Sequence, residues 1–259
     1  RAGLVVAFAH ALFKLASLFQ AMVLGRYLSA GIFEVVYGVA FDGVVFAIFL
    51  IGEEAIGPAF LPVFMREMDT AGEKTAWRFA NAILTAQLLV VLGIVAFLMA
   101  FPEMVVRLIT SWEQGAHYEP VRYALVTNSV RWIAPALVGL SMASTTYVIL
   151  NGYKRFFLAA FGDATWRLSV VLCVLVGMGF MGLGYRCVIV GILAGSVLKL
   201  ATHLFGLIRE IRHFRPSLFL RQPAVRQMLW LMLPLLIGNV FAKVRDNFNN
   251  VYILSWLDS

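Results

Sequence analysis

The chain has 259 residues, 61% of them hydrophobic and only 14% charged, with a mean hydropathy of +0.86. Those values exclude an ordinary soluble domain, and continuous apolar runs about twice the ten-residue strands of a membrane barrel exclude that architecture too. An all-α, polytopic helical membrane protein remains. The net charge of +7 sits in short clusters between apolar runs rather than on one soluble face, so it speaks for membrane topology and against nucleic acid as a partner.

Seven apolar windows follow in chain order, at about 3–25, 33–52, 79–101, 124–151, 156–182, 185–208 and 228–257. The stretch 33–66 is the most informative. It carries Asp42 in an apolar run and the pair Glu53 and Glu54 beside Gly57-Pro58 and Pro62, where the run is interrupted and backbone groups need partners other than lipid. A carboxylate at membrane depth costs about 2.5–3.5 kcal/mol on insertion scales, so it persists where it faces a protein interior or a water-filled cavity. The stretch therefore reads as the wall of a polar path.

The connections differ in charge. The second, fourth and sixth hold ten Lys and Arg residues and the first, third and fifth hold four, which places the even connections and the N-terminus in the cytoplasm. The sixth, at 209–227, is the most basic, with Arg209, Arg212, Arg215, Arg221 and Arg226. The organisation expected is a six-helix lobe over 1–208, this basic connection, and over 228–259 the first helix of a second lobe. A shift of 229 positions lays Lys14, Phe19, Gln20, Tyr27 and Leu28 on Lys243, Phe248, Asn249, Trp256 and Leu257, a weak internal repeat of the kind parallel-repeat transporters carry. Together with Arg1 at the start and a helix at the end, it leads us to expect a portion of a longer chain.

Gly177, Gly179 and Gly182 match a dinucleotide fingerprint in letters only, since the pattern ends a membrane helix instead of following a strand. Gly191 and Gly195 form a GxxxG pattern that lets helix backbones approach closely. Cys173 and Cys187 have neither metal nor disulfide spacing, and the four histidines are scattered, so no metal, cofactor or hydrolytic chemistry is expected.

Charged residues inside the spans are the candidates for function. Glu34, Arg131 and Lys199 lie near span ends and read as snorkelling side chains, whereas Lys14, Asp42, Lys243, Arg245 and Asp246 lie deeper and read as cavity lining. At i and i+3 on a helix, Asp246 is placed to neutralise Lys243, leaving Arg245 for an anionic ligand. Lys14 and Gln20 fall on different faces of the first helix.

These residues resemble a known family. The run Glu53-Glu54-Ala55-Ile56-Gly57-Pro58-Ala59-Phe60-Leu61-Pro62 is similar to the EGAFSQAFVP segment closing the second helix of the MurJ/MviN lipid II flippases, in the MOP exporter superfamily. Pro135-Ala136-Leu137 with Ile149-Leu150-Asn151 and Arg155-Phe156 resembles that family's fourth helix and its LN…RF turn. The run Val190-Gly191 through Gly195 to Lys199-Leu200 resembles its sixth helix, and Met232-Leu233-Pro234 the opening of its seventh.

The resemblance implies a fourteen-helix, two-lobe MOP-type transporter around a cationic cavity in the bacterial cytoplasmic membrane. It would move an undecaprenyl-diphosphate-linked peptidoglycan precursor between leaflets by alternating access, with no covalent chemistry. Lys14, Arg26, Lys243 and Arg245 are then the anion-facing residues, and Asp42, Glu53, Glu54 and Asp246 the gating or coupling carboxylates. Membrane potential, sodium or protons could each drive it. Membrane lipids are the other partner. The pattern also departs from the family: Gln20-Ala21 stands where it has Arg-Asp, Val35 where it has an acid, and Phe49 and Leu50 where it has basic residues. Two alternatives follow, an exporter of another lipid-linked sugar or small molecule, and a transport-incompetent membrane scaffold.

Overall fold

The computed structural model describes residues 2–110 and 119–248, and among them the chain is helical with no strand. Helix α1 (Ala2–Tyr27) leads through one short turn, α2 (Ala30–Ile32), into a π-helical segment, Phe33–Phe46, that continues directly as α3 (Ala47–Ala71). There follow α4 (Glu73–Ala100), α5 (Pro102–Ile109), α6 (Pro120–Ile133), α7 (Ala136–Gly152), α8 (Phe156–Gly179), α9 (Arg186–Gly206) and α10 (Pro223–Asn247). Five of these stretches are long and apolar enough to cross a bilayer, and α6 with α7 makes a sixth when the bent pair is taken as one span. With α1, each predicted span has a helical counterpart. The part of the seventh beyond residue 248 lies outside the described residues.

Three boundaries differ from expectation for physical reasons. The second span does not stop near residue 52 but runs without a break to Ala71, through both Pro58 and Pro62. The two prolines are exposed, while Ala55, Ala59, Phe60, Val63 and Phe64 are buried and hold the helix against the core. The fourth span is two helices bent by 48° at Ala134-Pro135, where the missing proline N–H is followed by i→i+3 bonds from Leu137 to Ala134 and from Val138 to Pro135. The segment before it holds α5, which Pro102 opens at the first helical position.

The π-helical segment changes which residues share a face. Phe33 and Asp42 would lie half a turn apart on an α-helix. An i→i+5 ladder winds at about 4.4 residues per turn, and at that pitch Phe33, Tyr37, Asp42 and Phe46 fall on one side. The other side, with Val35, Val36, Val39 and Val44, is buried in the core that the segment forms with α6, α7 and α8. Valine and glycine are abundant here and both are weak α-formers, so the local sequence does not resist the wider winding.

A second core joins α3, α4 and α7 through Phe60, Phe64, Phe79 and Ile149. Helices α8 and α9 are in close backbone contact along the glycine pattern: a methyl group at Gly191 would stand 2.9 Å from Val170 Cα, and one at Gly195 2.8 Å from the Trp166 carbonyl. The fingerprint-like glycines instead make a turn, with Gly182 at φ +61° and Gly184 at φ +60°.

Candidate functional site

Most side chains facing outward from this bundle are apolar, as lipid contact requires: Leu15, Leu18 and Met22 on α1 and Trp230, Ile237 and Phe241 on α10 are all exposed. Against that background the charged and polar groups gather in three places.

The first is a cavity of about 430 Å³ between α1, the π-helical segment and α8. Helix α1 packs along α8 and barely touches the π segment, although the two are consecutive, and the gap between them is this cavity. The π pitch lines one wall with Phe33, Tyr37, Asp42 and Phe46. Helix α8 supplies Trp166 and Arg167, and α1 supplies Ser17 and Gln20. Gln20 is almost completely buried and bridges the walls: its Nε2 donates to the Tyr37 hydroxyl at 3.0 Å, and its Oε1 accepts from Arg167 Nη1 at 3.0 Å. Asp42 is exposed between the buried neighbours Phe41 and Gly43. It feels the charge of Arg167 without forming an ion pair with it.

The second is a buried cluster inside the lobe. Lys199 on α9 is only 6% exposed and its Nζ lies 2.7 Å from Asp163 Oδ1 on α8, with the Phe49 ring 5.6 Å away. Lys199 thus does not snorkel to the headgroups as expected. It is buried where α8 and α9 pack, and the Asp163 carboxylate is within direct reach there. Glu53 on α3 is electrostatically coupled to both members of this pair. It also borders a second, largely apolar cavity of about 390 Å³ between α3, α4, α7 and α10. There Gln87 donates to the Ser141 carbonyl at 2.8 Å and accepts from the Thr145 hydroxyl at 2.6 Å.

The third is the face between α3 and α10. Glu54 is exposed there and its Oε1 lies 4.0 Å from Lys243 Nζ, so adjacent glutamates serve different neighbours. The pairing expected within α10 is corrected. Asp246 accepts from Arg245 Nη2 at 2.9 Å and Nε at 3.2 Å, because both side chains lie on the open side of the helix while Lys243 leans towards α3. Arg245 is therefore not the free cation of the trio.

The anion-facing residues expected from the sequence fall into two groups. Lys14 and Arg26 are both exposed on α1, which packs on α8, whereas Lys243 and Arg245 stand on α10, which packs on α3. Among the polar residues gathered here, Tyr37 was not singled out from the sequence, Gln20 stood out only as a departure from the family pattern, and Asp163, Arg167 and Lys199 were given no ligand-facing role. Asp163, Arg167 and Lys199 were visible as charges inside spans, but their partners lie 36 to 147 residues away in the chain.

The fold defines an all-helical, polytopic membrane bundle with carboxylates and cations inside its spans. Solved structures bear out the fold. The structure described as lipid II flippase MurJ in an inward closed conformation aligns over 89% of this chain and 48% of its own, with a TM-score of 0.58 and 18% identity. A MATE transporter in complex with Br-NRF aligns over 93% and 53% with a TM-score of 0.66 and 14% identity. A MOP superfamily transporter from Pyrococcus furiosus, described as having a binding pocket of reverse polarity, gives 0.59 over 92% and 51% at 14% identity.

The family model described as lipid II flippase MurJ matches residues 21–250, and the chain belongs to that family. The lipid II flippase MurJ of Thermosipho africanus is 22% identical over 81% of this chain and 43% of its own length. That of Burkholderia cenocepacia is 25% identical over 71% and 36%. The chain thus spans less than half the length of the curated relatives it matches.

Proposed function

We propose that this chain forms one lobe of a lipid II flippase, which carries a polyprenyl-diphosphate-linked peptidoglycan precursor across the bacterial inner membrane by alternating access. The observation that carries the reading is the set of accessible charges, Lys14, Arg26, Asp42 and Glu54, within apolar runs of α1, the π-helical segment and α3. Such charges persist where they meet water or a polar partner, and family membership supplies the cargo. A diphosphate needs Lys or Arg in a low-dielectric cavity, while its lipid tail stays in the bilayer. In this reading residues 1–208 are the first lobe, 209–227 is a cytoplasmic connection, and α10 opens a second lobe that faces the charged side. The N-terminus is cytoplasmic by the charge of the connections.

Lys14 and Arg26 attract the diphosphate from α1, and Lys243 and Arg245 do so from α10. Glu54 and Asp246 keep the α10 cations occupied when no anion is present, and they release them when the cargo arrives. Asp42 and Glu53 respond to the driving ion or potential. The test is transport of lipid II by the full protein in liposomes, compared with Lys14→Ala and Arg245→Ala. Loss of transport in the variants with the wild type active supports the reading. An inactive wild type, or variants as active as it is, overturns it.

One observation favours a second reading. Lys243 and Arg245 each already have a carboxylate within 4.0 Å, so the net positive charge at that end of α10 is small. An exporter of a different cargo, with Asp42 and Glu53 as the binding groups, would lose activity in Asp42→Asn and Glu53→Gln and keep it in Lys14→Ala.

A further inference from the structure

The cavity between α1, the π-helical segment and α8 has a chemistry unlike that of a diphosphate site. Its charged groups are one arginine and one aspartate, Arg167 and Asp42, so its formal charge balances. A diphosphate brought there would meet the Asp42 carboxylate as well as the guanidinium, and its own charge would stay uncompensated. A neutral ligand rich in hydroxyl groups has no such conflict.

The available hydrogen-bonding groups suit such a ligand. Asp42 has no hydrogen bond or ion pair among the described residues, so both its oxygens can accept from hydroxyls. Arg167 spends one Nη1 hydrogen on Gln20, and its five-donor guanidinium has further Nη hydrogens to offer, while its Nε is buried. The Tyr37 hydroxyl accepts from Gln20. These groups are fixed rather than loose. Gln20 is clamped between Tyr37 and Arg167, and the Arg167 guanidinium lies 4.7 Å from the Phe13 ring and 5.4 Å from the Trp166 ring.

The rest of the wall is aromatic. Phe33 stacks on Tyr37 with centroids 5.6 Å apart, and with Phe46 these partly exposed rings give an apolar surface beside the polar groups, backed by the buried stack of Phe41 on Trp166 at 5.5 Å. Aromatic faces next to a carboxylate and a guanidinium match a pyranose ring, which has an apolar C–H face and a rim of hydroxyls. A volume of about 430 Å³ holds one such ring with its linking oxygen.

We propose that this cavity is a glycan subsite, in which Asp42 and Arg167 bind the hydroxyl rim of one neutral sugar ring and the aromatic wall packs against its C–H face. The inference deepens the flippase reading and rests on it in one respect, that the sugar arrives on a membrane-held diphosphate. The diphosphate itself is then held elsewhere, by the cations of α1 and α10, this cavity reads what is attached to it, and the response to the driving ion or potential rests with Glu53 in place of Asp42.

The experiment is equilibrium binding by the full protein in lipid nanodiscs. Two ligands are compared, a polyprenyl diphosphate carrying one neutral hexose and the same lipid diphosphate without sugar. The wild type is expected to prefer the sugar-bearing lipid at least ten-fold. In Asp42→Asn and in Arg167→Gln that preference falls to about one, while affinity for the bare lipid is unchanged. The conservative Arg167→Lys, which keeps the charge and loses the planar fork, retains part of the preference. A wild type with no preference, or variants that keep all of it, overturns the subsite and leaves the flippase reading standing. If neither lipid binds the wild type, the flippase reading fails, and titration with a soluble methyl hexoside then decides the subsite. Quenching of tryptophan fluorescence that is lost in Trp166→Phe and weakened in Asp42→Asn upholds it, and no quenching ends it.

Discussion

Lys199 on α9 and Asp163 on α8 form an ion pair of 2.7 Å at a depth where Lys199 is buried and Asp163 keeps about a third of its side chain exposed. The pair ties together two helices that already touch through glycine. Removing one member leaves the other charged and without its partner, which in buried pairs costs about 3–5 kcal/mol. The exposure of Asp163 lowers that figure here.

Lys199→Met is accordingly expected to destabilise the protein by about 2–3 kcal/mol, and the double variant Asp163→Asn with Lys199→Met by clearly less than the sum of the single changes. Thermal unfolding in detergent, followed by helical circular dichroism, reads both. Additive losses would show that the pair contributes nothing of its own.

A methyl group at Gly195 would stand 2.8 Å from the Trp166 carbonyl oxygen, closer than packed atoms allow. Gly195→Ala should therefore push α8 from α9 at a cost of about 1–3 kcal/mol. Gly93, with open space around its Cβ position, is the matched control, and Gly93→Ala should leave the melting temperature unchanged or raise it slightly.

Arg155, in the turn between α7 and α8, makes a two-pronged contact with Glu210, Nη1 to Oε2 at 2.8 Å and Nη2 to Oε1 at 2.6 Å, and also donates to the Gly206 carbonyl. A lysine offers one ammonium in place of this fork. Arg155→Lys should cost about 1–2 kcal/mol despite the conserved charge. Proteolysis within the basic connection 209–227 is expected to quicken in parallel.

Tyr153 lies just past α7, where its hydroxyl donates to Glu73 at 2.7 Å and accepts from Trp77 Nε1 at 2.8 Å. Burial first, and then the hydrogen bond to the Glu73 carboxylate, hold its pKa above the ordinary tyrosine value. The unfolded chain ionises at about 10, so the stabilisation from this shift is fully present below that pH and is lost as pH rises towards the folded pKa. Ultraviolet difference titration near pH 10 should give the same tyrosine amplitude for folded wild type and folded Tyr153→Phe, whereas the two unfolded chains should differ by one tyrosine.

The helices were legible because lipid asks for long apolar runs, and Gly191 and Gly195 announced a close helix contact that the structure contains. The continuity of α3 through Pro58 and Pro62 was hidden, since it depends on which side of the helix the core takes. The face of Asp42 was hidden more deeply. Residue spacing was read at the α-helical pitch, and only the π winding sets Asp42 beside Tyr37 and Phe46. Arg167 could be seen as a charge within a span, yet nothing near it in sequence names Gln20 as its partner. The α10 trio misled because i and i+3 spacing counts rungs of a helix and ignores which way Lys243 leans.

The π-helical segment also gives this chain a form of slack. In an α-helix the loss of one residue turns everything beyond it by about a quarter of a revolution, which would carry the buried side of α3 out to lipid. Here one wide turn can tighten to the ordinary pitch and absorb the deletion, so that Phe60 and Phe64 stay pointed inward. Single-residue deletions between Phe33 and Phe46 should thus be tolerated where equal deletions in α4 are not. Relatives that differ by one residue at this place can share the same bundle without sharing the same recess.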